Sequence, residues 1–389
     1  MPGTPRVPEL QTRKTLGAPT VPRTRSTPMT LLRARLFLGI VSLFVVPASQ
    51  ATGQRGASPP VTEPGMILPS PVTNNAVAAG FIDGEQWVFS VLGVDSTKRW
   101  SGITRRATAW SSRSGRWREI APVPGVDGRL AATAQFVRGR LFVFGGYTVD
   151  SAGKERSVSA VDSYDPLTDR WSGGAPMPIA VDDAVSGVYR DSLVYVISGW
   201  HNSDNVRDVQ VYDVVRNRWS SATPIPGPGV FGHSGGMAGE TLVFVDGAVR
   251  RPGPVHYALR KQTWIGTVNA QRPLEIHWRA GPERKGKSLY RAAAGRCGPL
   301  VMFVGGTHSP YNYDGIGYDR RPSAPVATVW AFDTKSLAWR RLADAPVATM
   351  DHRALAVVGD RGWVIGGMRD DQRVSASIVQ LPTPSCDGR

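Results

Sequence analysis

Long apolar runs are missing from this chain of 389 residues, and so is any sustained helical period. The longest apolar stretch, Leu36 to Val46, is about eleven residues, too short to span a bilayer comfortably. Cysteine is nearly absent. The two copies, Cys297 and Cys386, have neither metal-site spacing nor the setting of a thiol nucleophile. Lysine is scarce although Lys and Arg total 46, and the basic residues lie scattered among turns with no nucleic-acid motif beside them. These absences argue against a membrane-embedded protein, a zinc module and a nucleic-acid binder.

The first fifty residues read differently from the rest. Residues 1–28 are rich in Pro, Thr and Arg without periodicity. From Met29 a basic segment with Arg33 and Arg35 leads into the apolar run and then into Pro47-Ala48-Ser49-Gln50-Ala51. A basic start, a short apolar region and a small-residue cleavage site predict a secretory leader over 1–51, with Met29 as the expected start. A single-span anchor is the alternative. Residues 52–64 read as a Gly/Ser/Pro linker, 65–382 as the folded domain and 383–389 as a tail. The leader holds seven Lys/Arg and one Glu, so the formal charge of +15 falls to +9 in the expected mature chain. Export to a secreted or periplasmic location would let Cys297 and Cys386 oxidise. The topology expected below places both on one face, so a disulfide tying down the C-terminus is one outcome and two free thiols the other.

The folded region is repetitive. Leu141-Phe142-Val143-Phe144-Gly145-Gly146 is followed by Val161-Asp162-Ser163-Tyr164-Asp165-Pro166 and then by Asp169-Arg170-Trp171. Similar blocks carry Ser198-Gly199 with Trp219, Asp246-Gly247 with Tyr257 and Trp264, and Gly305-Gly306 with Trp339. A degenerate first copy has Gly93 and Trp117, and Gly366-Gly367 opens the last. The apolar runs are short and rich in Val and Phe, so they predict strands. One small four-stranded sheet cannot bury both faces, but stacking it on the next can, with the repeated Trp filling the joint. Truncating such a Trp should cost about 3–5 kcal/mol.

Six copies at roughly fifty-residue spacing resemble kelch repeats, each one blade of a β-propeller. The resemblance implies an all-β, six-bladed ring. The last copy stops after its third strand, so residues near 65–68 are expected to supply the missing outer strand and close the ring.

In such a propeller the loops after the second strand and those leading into the innermost strand share one face around a central channel. Aligning the lead-in segments nominates Asn75, Arg129, Asp183, His233, Arg291 and Arg353 as a polar ring. With its cationic majority it suits a polyhydroxylated, carboxylated ligand; the alternative is that these groups satisfy backbone and channel water. Two loops stand out. Gly199-Trp200-His201-Asn202 offers an aromatic face beside an imidazole, as sugar sites often do. The long Tyr-rich loop from Thr307 to Asp319 is expected to lean over the channel, with Tyr313 and Tyr318 as stacking residues, or else to be a self-packed loop.

The chain also resembles the bacterial N-acetylneuraminate epimerase (sialic acid mutarotase) group and galactose-oxidase-like kelch proteins. The likeness lies in the exported start, the Leu68-Pro69 segment, Phe136 to Gly146 and the Asn312-Tyr313…Tyr318 loop. The epimerase resemblance implies a Glu and an Arg after the blade-four glycine. Here that loop reads Asp246-Gly247-Ala248-Val249-Arg250, so Arg250 is present and Ala248 stands in place of the acid. Mutarotation needs proton transfer at two oxygens. The candidates left for it are His352, Asp351, Asp183 and His233, with His352 closest in intrinsic pKa. Met350-Asp351-His352-Arg353 also reads as a salt-bridged strand start. Copper oxidase chemistry is disfavoured, because Cys297 is expected on the wrong face for a Tyr–Cys crosslink.

These readings predict an exported propeller that binds a sugar-like small molecule, with no cofactor, metal or nucleic acid and no stable membrane span after processing. A sugar mutarotase is the alternative, and a scaffold for a protein partner the second alternative.

Overall fold

The computed structural model describes residues 66–386. The expected leader, linker and last three residues lie outside that range. Six small antiparallel sheets follow one another along the chain. From inner to outer strand, blade one is Ala76–Ile82, Glu85–Val91, Ala107–Ser111 and Trp117–Ile120. Blade two is Thr133–Val137, Arg140–Phe144, Val161–Asp165 and Arg170–Gly173. Blade three is Val185–Tyr189, Leu193–Ile197, Val209–Asp213 and Arg218–Ala222. Blade four is Ser234–Ala238, Thr241–Val245, Thr263–Val268 and Ile276–Ala280. Blade five is Ala293–Cys297, Leu300–Val304, Val329–Asp333 and Ala338–Arg341. Blade six has Ala356–Val358, Arg361–Ile365 and Ile378–Pro382. Each inner strand packs beside that of the next blade, and the sixth packs beside the first, so the ring is closed.

The closing strand is where the repeat count places it. Ile67 bridges Ser377 in antiparallel sense and the Leu68 N–H donates to Ala376 O at 2.9 Å. Met66 and Leu68 are buried with Trp110, Trp363 and Ile378. The edge of blade six is thereby covered, which removes a template for aggregation.

Aromatic side chains fill the joints. Trp171 tilts against Tyr164 at 5.0 Å, and its indole N–H donates to Ala121 O, on the segment from blade one. Trp219 repeats this with Tyr212 and Ala175 O, and Trp339 with Phe332 and Pro282 O. Blade four corrects the sequence alignment. Trp264 lies on the third strand, and Trp278, whose N–H donates to Thr223 O, is the outer-strand Trp. An inserted hairpin, Ala248–Arg250 with Tyr257–Leu259, had shifted the apparent register.

The repeated glycine has a steric cause. At Gly146 (φ 91°) a Cβ would sit 2.6 Å from Leu130 O; at Gly367 (φ 84°) it would sit 2.1 Å from the His352 ring. The loop backbone must touch the lead-in to the innermost strand, and only glycine permits both that approach and that φ.

Cys297 and Cys386 are joined, with Cα atoms 4.6 Å apart. The bridge pins the C-terminal segment to blade five. Closing an 89-residue separation is worth about 4–5 kcal/mol in chain-entropy accounting.

Candidate functional site

Six isolated bridges define the true register of the lead-ins: Thr73 with Val94, Leu130 with Tyr147, Asp182 with Trp200, Phe231 with Ala248, Tyr290 with Thr307 and Met350 with Met368. The next residue in each blade has positive φ, from 51° to 71°: Asn74, Ala131, Asp183, Gly232, Arg291 and Asp351. A left-handed residue is unusual outside glycine, and here it recurs because it builds a belt. The N–H groups of Ala131, Asp183, Gly232 and Arg291 donate to the carbonyls of Asn74, Ala131, Asp183 and Gly232 at 2.9–3.4 Å. Blade six carries one extra residue, so the His352 N–H makes the next link, to Arg291 O at 3.0 Å. At the seam with blade one, side chains take over. The Asp351 carboxylate accepts from Thr73 Oγ1 at 2.7 Å and from Asn74 Nδ2 at 3.0 Å.

The axis is plugged by a buried ion cluster on this belt. Arg291 donates to both Asp183 oxygens, at 3.2 and 2.5 Å, and to Asp351 Oδ1 at 3.1 Å. Arg353 lies 2.9 Å from Asp183 Oδ1 and 3.6 Å from Asp351 Oδ1. Two guanidinium and two carboxylate groups make the cluster formally neutral. Burial alone would raise the Asp351 carboxyl, but Arg291, Arg353 and the Thr73 hydroxyl hold it below the ordinary carboxylate range. Tyr290 and Tyr311 lie against Arg291, their ring centroids 4.9 and 5.1 Å from its guanidinium carbon. The Tyr311 hydroxyl donates to Asp351 at 3.2 Å.

The long blade-five loop crosses above this plug. Tyr311 is fully buried within it, Tyr313 packs with Ile103 and Val94 of blade one and with Leu130 and Tyr147 of blade two, and Tyr318 meets Tyr257 of blade four at 4.3 Å. Lys98 Nζ of the blade-one loop donates to Asp314 O at 2.9 Å. A loop that begins in blade five therefore reaches the opposite side of the ring. Around its edge stand Trp200, 5.5 Å from Phe231 and 5.6 Å from Tyr257, and Arg250, which pairs with Tyr257 across the inserted hairpin.

One residue was missed by the sequence reading. Glu155 lies on a hairpin, Tyr147–Val149 with Glu155–Ser157, that rises from the belt. Ser157 donates to the buried Asp182 at 2.6 Å. Glu155, two residues away, shares its face of the hairpin. Glu155 is exposed, yet its charge is felt by Tyr147, Tyr257, Tyr313 and Tyr318. Partial desolvation by the protein atoms crowded near it raises its carboxyl above the ordinary value, Arg291 counters this and Asp183 adds to it. A carboxylate on an insertion between two repeat strands has no repeat partner to align with, which is why spacing did not reveal it.

The nominated residues divide accordingly. Asp183, Arg291, Asp351 and Arg353 meet in the plug, and Tyr313, Tyr318 and Trp200 gather above it. Arg250 is exposed at the rim and donates to Ser203 O, while the His201 ring bonds Ala180 O at 2.6 Å. The expected six-membered ring itself is out of register, because only Asp183 and Arg291 of the six occupy the belt position. Asn75 is buried one step further on, bonded to Ser90. Arg129 is buried against Asp162 and Gly145 O inside blade two. His233 and His352 point into joints between strands, and desolvation pushes both imidazoles down to about 4. His233 bonds Ile197 O. His352 is buried among protein atoms, against Gly367.

The opposite end of the axis is open. A cavity of 680 Å³ is lined by all six inner strands, mostly small residues such as Ala78, Ala134, Gly187, Gly236 and Ala294. Its walls start about three residues below the belt, so the plug closes its inner end.

Comparison with known proteins agrees with this architecture. The Kelch motif family matches residues 128–178 and 185–226. N-acetylneuraminate epimerase 2 of Escherichia coli O6:H1 is 33% identical over 95 residues, 22% of this chain and 26% of the relative. N-acetylneuraminate epimerase of Shigella flexneri is 32% identical over the same length. The aligned segment thus spans about a quarter of the curated relatives it matches. The solved structure of YjhT superposes with a TM-score of 0.65 at 16% identity, covering 82% of this chain and 96% of that one. The chain has the fold of a six-bladed kelch-type β-propeller.

Proposed function

We propose that this chain is an exported propeller that holds a small polyhydroxylated ligand at the loop-face mouth, between the blade-five loop and the hairpins of blades two, three and four. The observation that carries this reading is the grouping of half-buried aromatic rings, Trp200, Tyr257 and Tyr318, with the exposed Arg250 opposite Tyr257 and with the hairpin strand that carries the exposed Glu155 packed beside that of Trp200. Aromatic faces cover the apolar face of a sugar ring, and charged groups fix its hydroxyls or a carboxylate. The local likeness to proteins named N-acetylneuraminate epimerase supports a sugar as ligand and sugar epimerisation as a second reading. Glu155 favours that second reading, since it restores an acid to a site where Ala248 provides none.

The test is line broadening in proton NMR of N-acetylneuraminate, galactose and glucuronate titrated with the full chain. Binding of at least one sugar is expected, weakened about tenfold or more in Tyr318→Ala. No broadening with any of the three would count against a sugar site and favour a protein-binding scaffold.

A further inference from the structure

Eleven of the twelve tryptophans are buried or half-buried. Trp100 is the exception, with 48% of its surface exposed. Val126, 94% exposed, shares its setting: both residues line one cavity of 530 Å³ between the blade-one loop and the hairpin of blade two. The exposure of Trp100 is enforced by its backbone. It opens a short 3₁₀ turn, Trp100–Gly102, in which the Gly102 N–H donates to Arg99 O at 2.9 Å and the Ile103 N–H to Trp100 O at 3.2 Å. The Asp95 carboxylate accepts from the Thr97 N–H at 2.9 Å and from its hydroxyl at 2.5 Å, and Lys98 ties the same loop to Asp314 O. The facing wall is equally fixed. Asp150 Oδ1 accepts from the N–H groups of Ala152 and Lys154, both at 2.9 Å, and Thr148 pairs with Arg156 across the hairpin. A large aromatic side chain held in water by a braced turn gains little from folding, so its use lies in a contact.

Polar groups complete the cavity. Asp127, Asp150, Lys154 and Arg156 are exposed along it, two anions and two cations, with the hydroxyls of Ser101 and Thr148 among them. A second cavity of 500 Å³ adjoins the first, and Ser101, Ile103, Val126 and Gly128 line both.

We propose that this groove on the flank of blades one and two binds a neutral glycan chain, with one sugar ring laid on Trp100 and the following units running past Val126 into the second cavity. A sugar ring has an apolar C–H face and a polar rim. The indole covers the first, while carboxylates accept from hydroxyls and cations donate to them along the second. The balance of two anions and two cations gives no preference for an acidic sugar. Two adjoining cavities suit a chain better than a single ring. Thr148 and Arg156 lie on the hairpin face opposite Glu155, so the hairpin separates the groove from the mouth, and the inference does not depend on what the mouth holds.

The test is isothermal titration calorimetry of the full chain with xylohexaose, mannohexaose and cellohexaose, and with xylose, mannose and glucose. Binding of at least one hexaose, about tenfold or more tighter than its monosaccharide, is expected. Trp100→Ala should weaken it about tenfold or more at an unchanged urea midpoint, and Trp100→Phe, which keeps a smaller platform, should recover part. Line broadening of N-acetylneuraminate, galactose and glucuronate should be the same in W100A as in wild type. No hexaose bound by the wild-type chain, or a hexaose affinity unaltered in W100A, would overturn the proposal and leave the reading of the mouth standing. Loss of that line broadening in W100A would also overturn it, by merging groove and mouth into one site. Self-association in sedimentation velocity that W100A abolishes, with no hexaose bound, would overturn it too and assign the Trp100 platform to a second copy of the chain.

Discussion

The two ends of the propeller axis are built from the same six strands and come out opposite in character. At the loop end the lead-ins converge on a hydrogen-bonded belt, ionised groups are packed beneath tyrosines, and a long loop crosses the opening. At the other end tight turns join inner to second strands, small side chains line the walls, and a 680 Å³ cavity stays open. Short hairpins leave no length for a lid, whereas the loops after the repeated glycines tolerate insertions. Length variation is cheap in loop-closure entropy, so chemistry accumulates on that side. The lesson is that the ring fixes where a site can be, and the insertions decide what it contains.

Acid should expose the difference most strongly. His233 and His352 lie just under the loop-end belt, neutral and buried, each with its pKa pushed down to about 4 from 6.5. The unfolded chain takes up those protons below pH 6.5, while the folded chain resists until about 4. Stability is therefore full above pH 6.5 and lost progressively as pH falls toward 4, by roughly 3 kcal/mol per histidine. Urea midpoints measured across that range should fall with uptake of two protons, and a His233→Asn, His352→Asn variant should flatten the dependence. A wild-type midpoint unchanged between pH 7 and 4.5 would contradict the neutral burial of these rings.

A smaller effect should follow from unbalancing the plug. Arg291→Met leaves Asp183 and Asp351 with Arg353 as their sole cation in the cluster, and breaking a buried pair in this way costs about 3–5 kcal/mol. Adding Asp183→Asn restores neutrality and should return part of the loss. Equal urea midpoints for the single and double variants would mean that charge balance is not what holds the belt.

Much of this was readable from the chain and some was not. Blade number was legible because one steric need recurs six times, at Gly93, Gly146, Gly199, Gly247, Gly306 and Gly367, and closure because the last copy is truncated. Placing two turns on one face made a Cys297–Cys386 bridge one of two outcomes, and the structure shows the bridge. Lead-in residues were harder. Blade six has one extra residue, and Arg129 and Arg353 look alike in sequence though one sits inside a blade and the other on the axis. His352 attracted attention for its intrinsic pKa, yet burial removes the property that made it attractive. Glu155 and Trp278 were hidden for a shared reason: insertions before or around them broke the period against which residues are compared.

The smallest effect should come from the open end, and its smallness is informative. Ser186 Oγ accepts from Gln135 Nε2 at 2.8 Å and lies 2.6 Å from Thr133 Oγ1 on the cavity wall. Ser186→Ala frees Gln135, which lines the accessible cavity, and the Thr133 hydroxyl buried beside it; cavity water can replace the partner lost by Gln135, so the cost should be about 1 kcal/mol. The plug separates this wall from the loop-end mouth, so sugar line broadening by the variant should match wild type. A measurable loss of sugar binding in Ser186→Ala, with stability unchanged, would place the ligand in the cavity rather than under the blade-five loop and would reverse the assignment of the two ends.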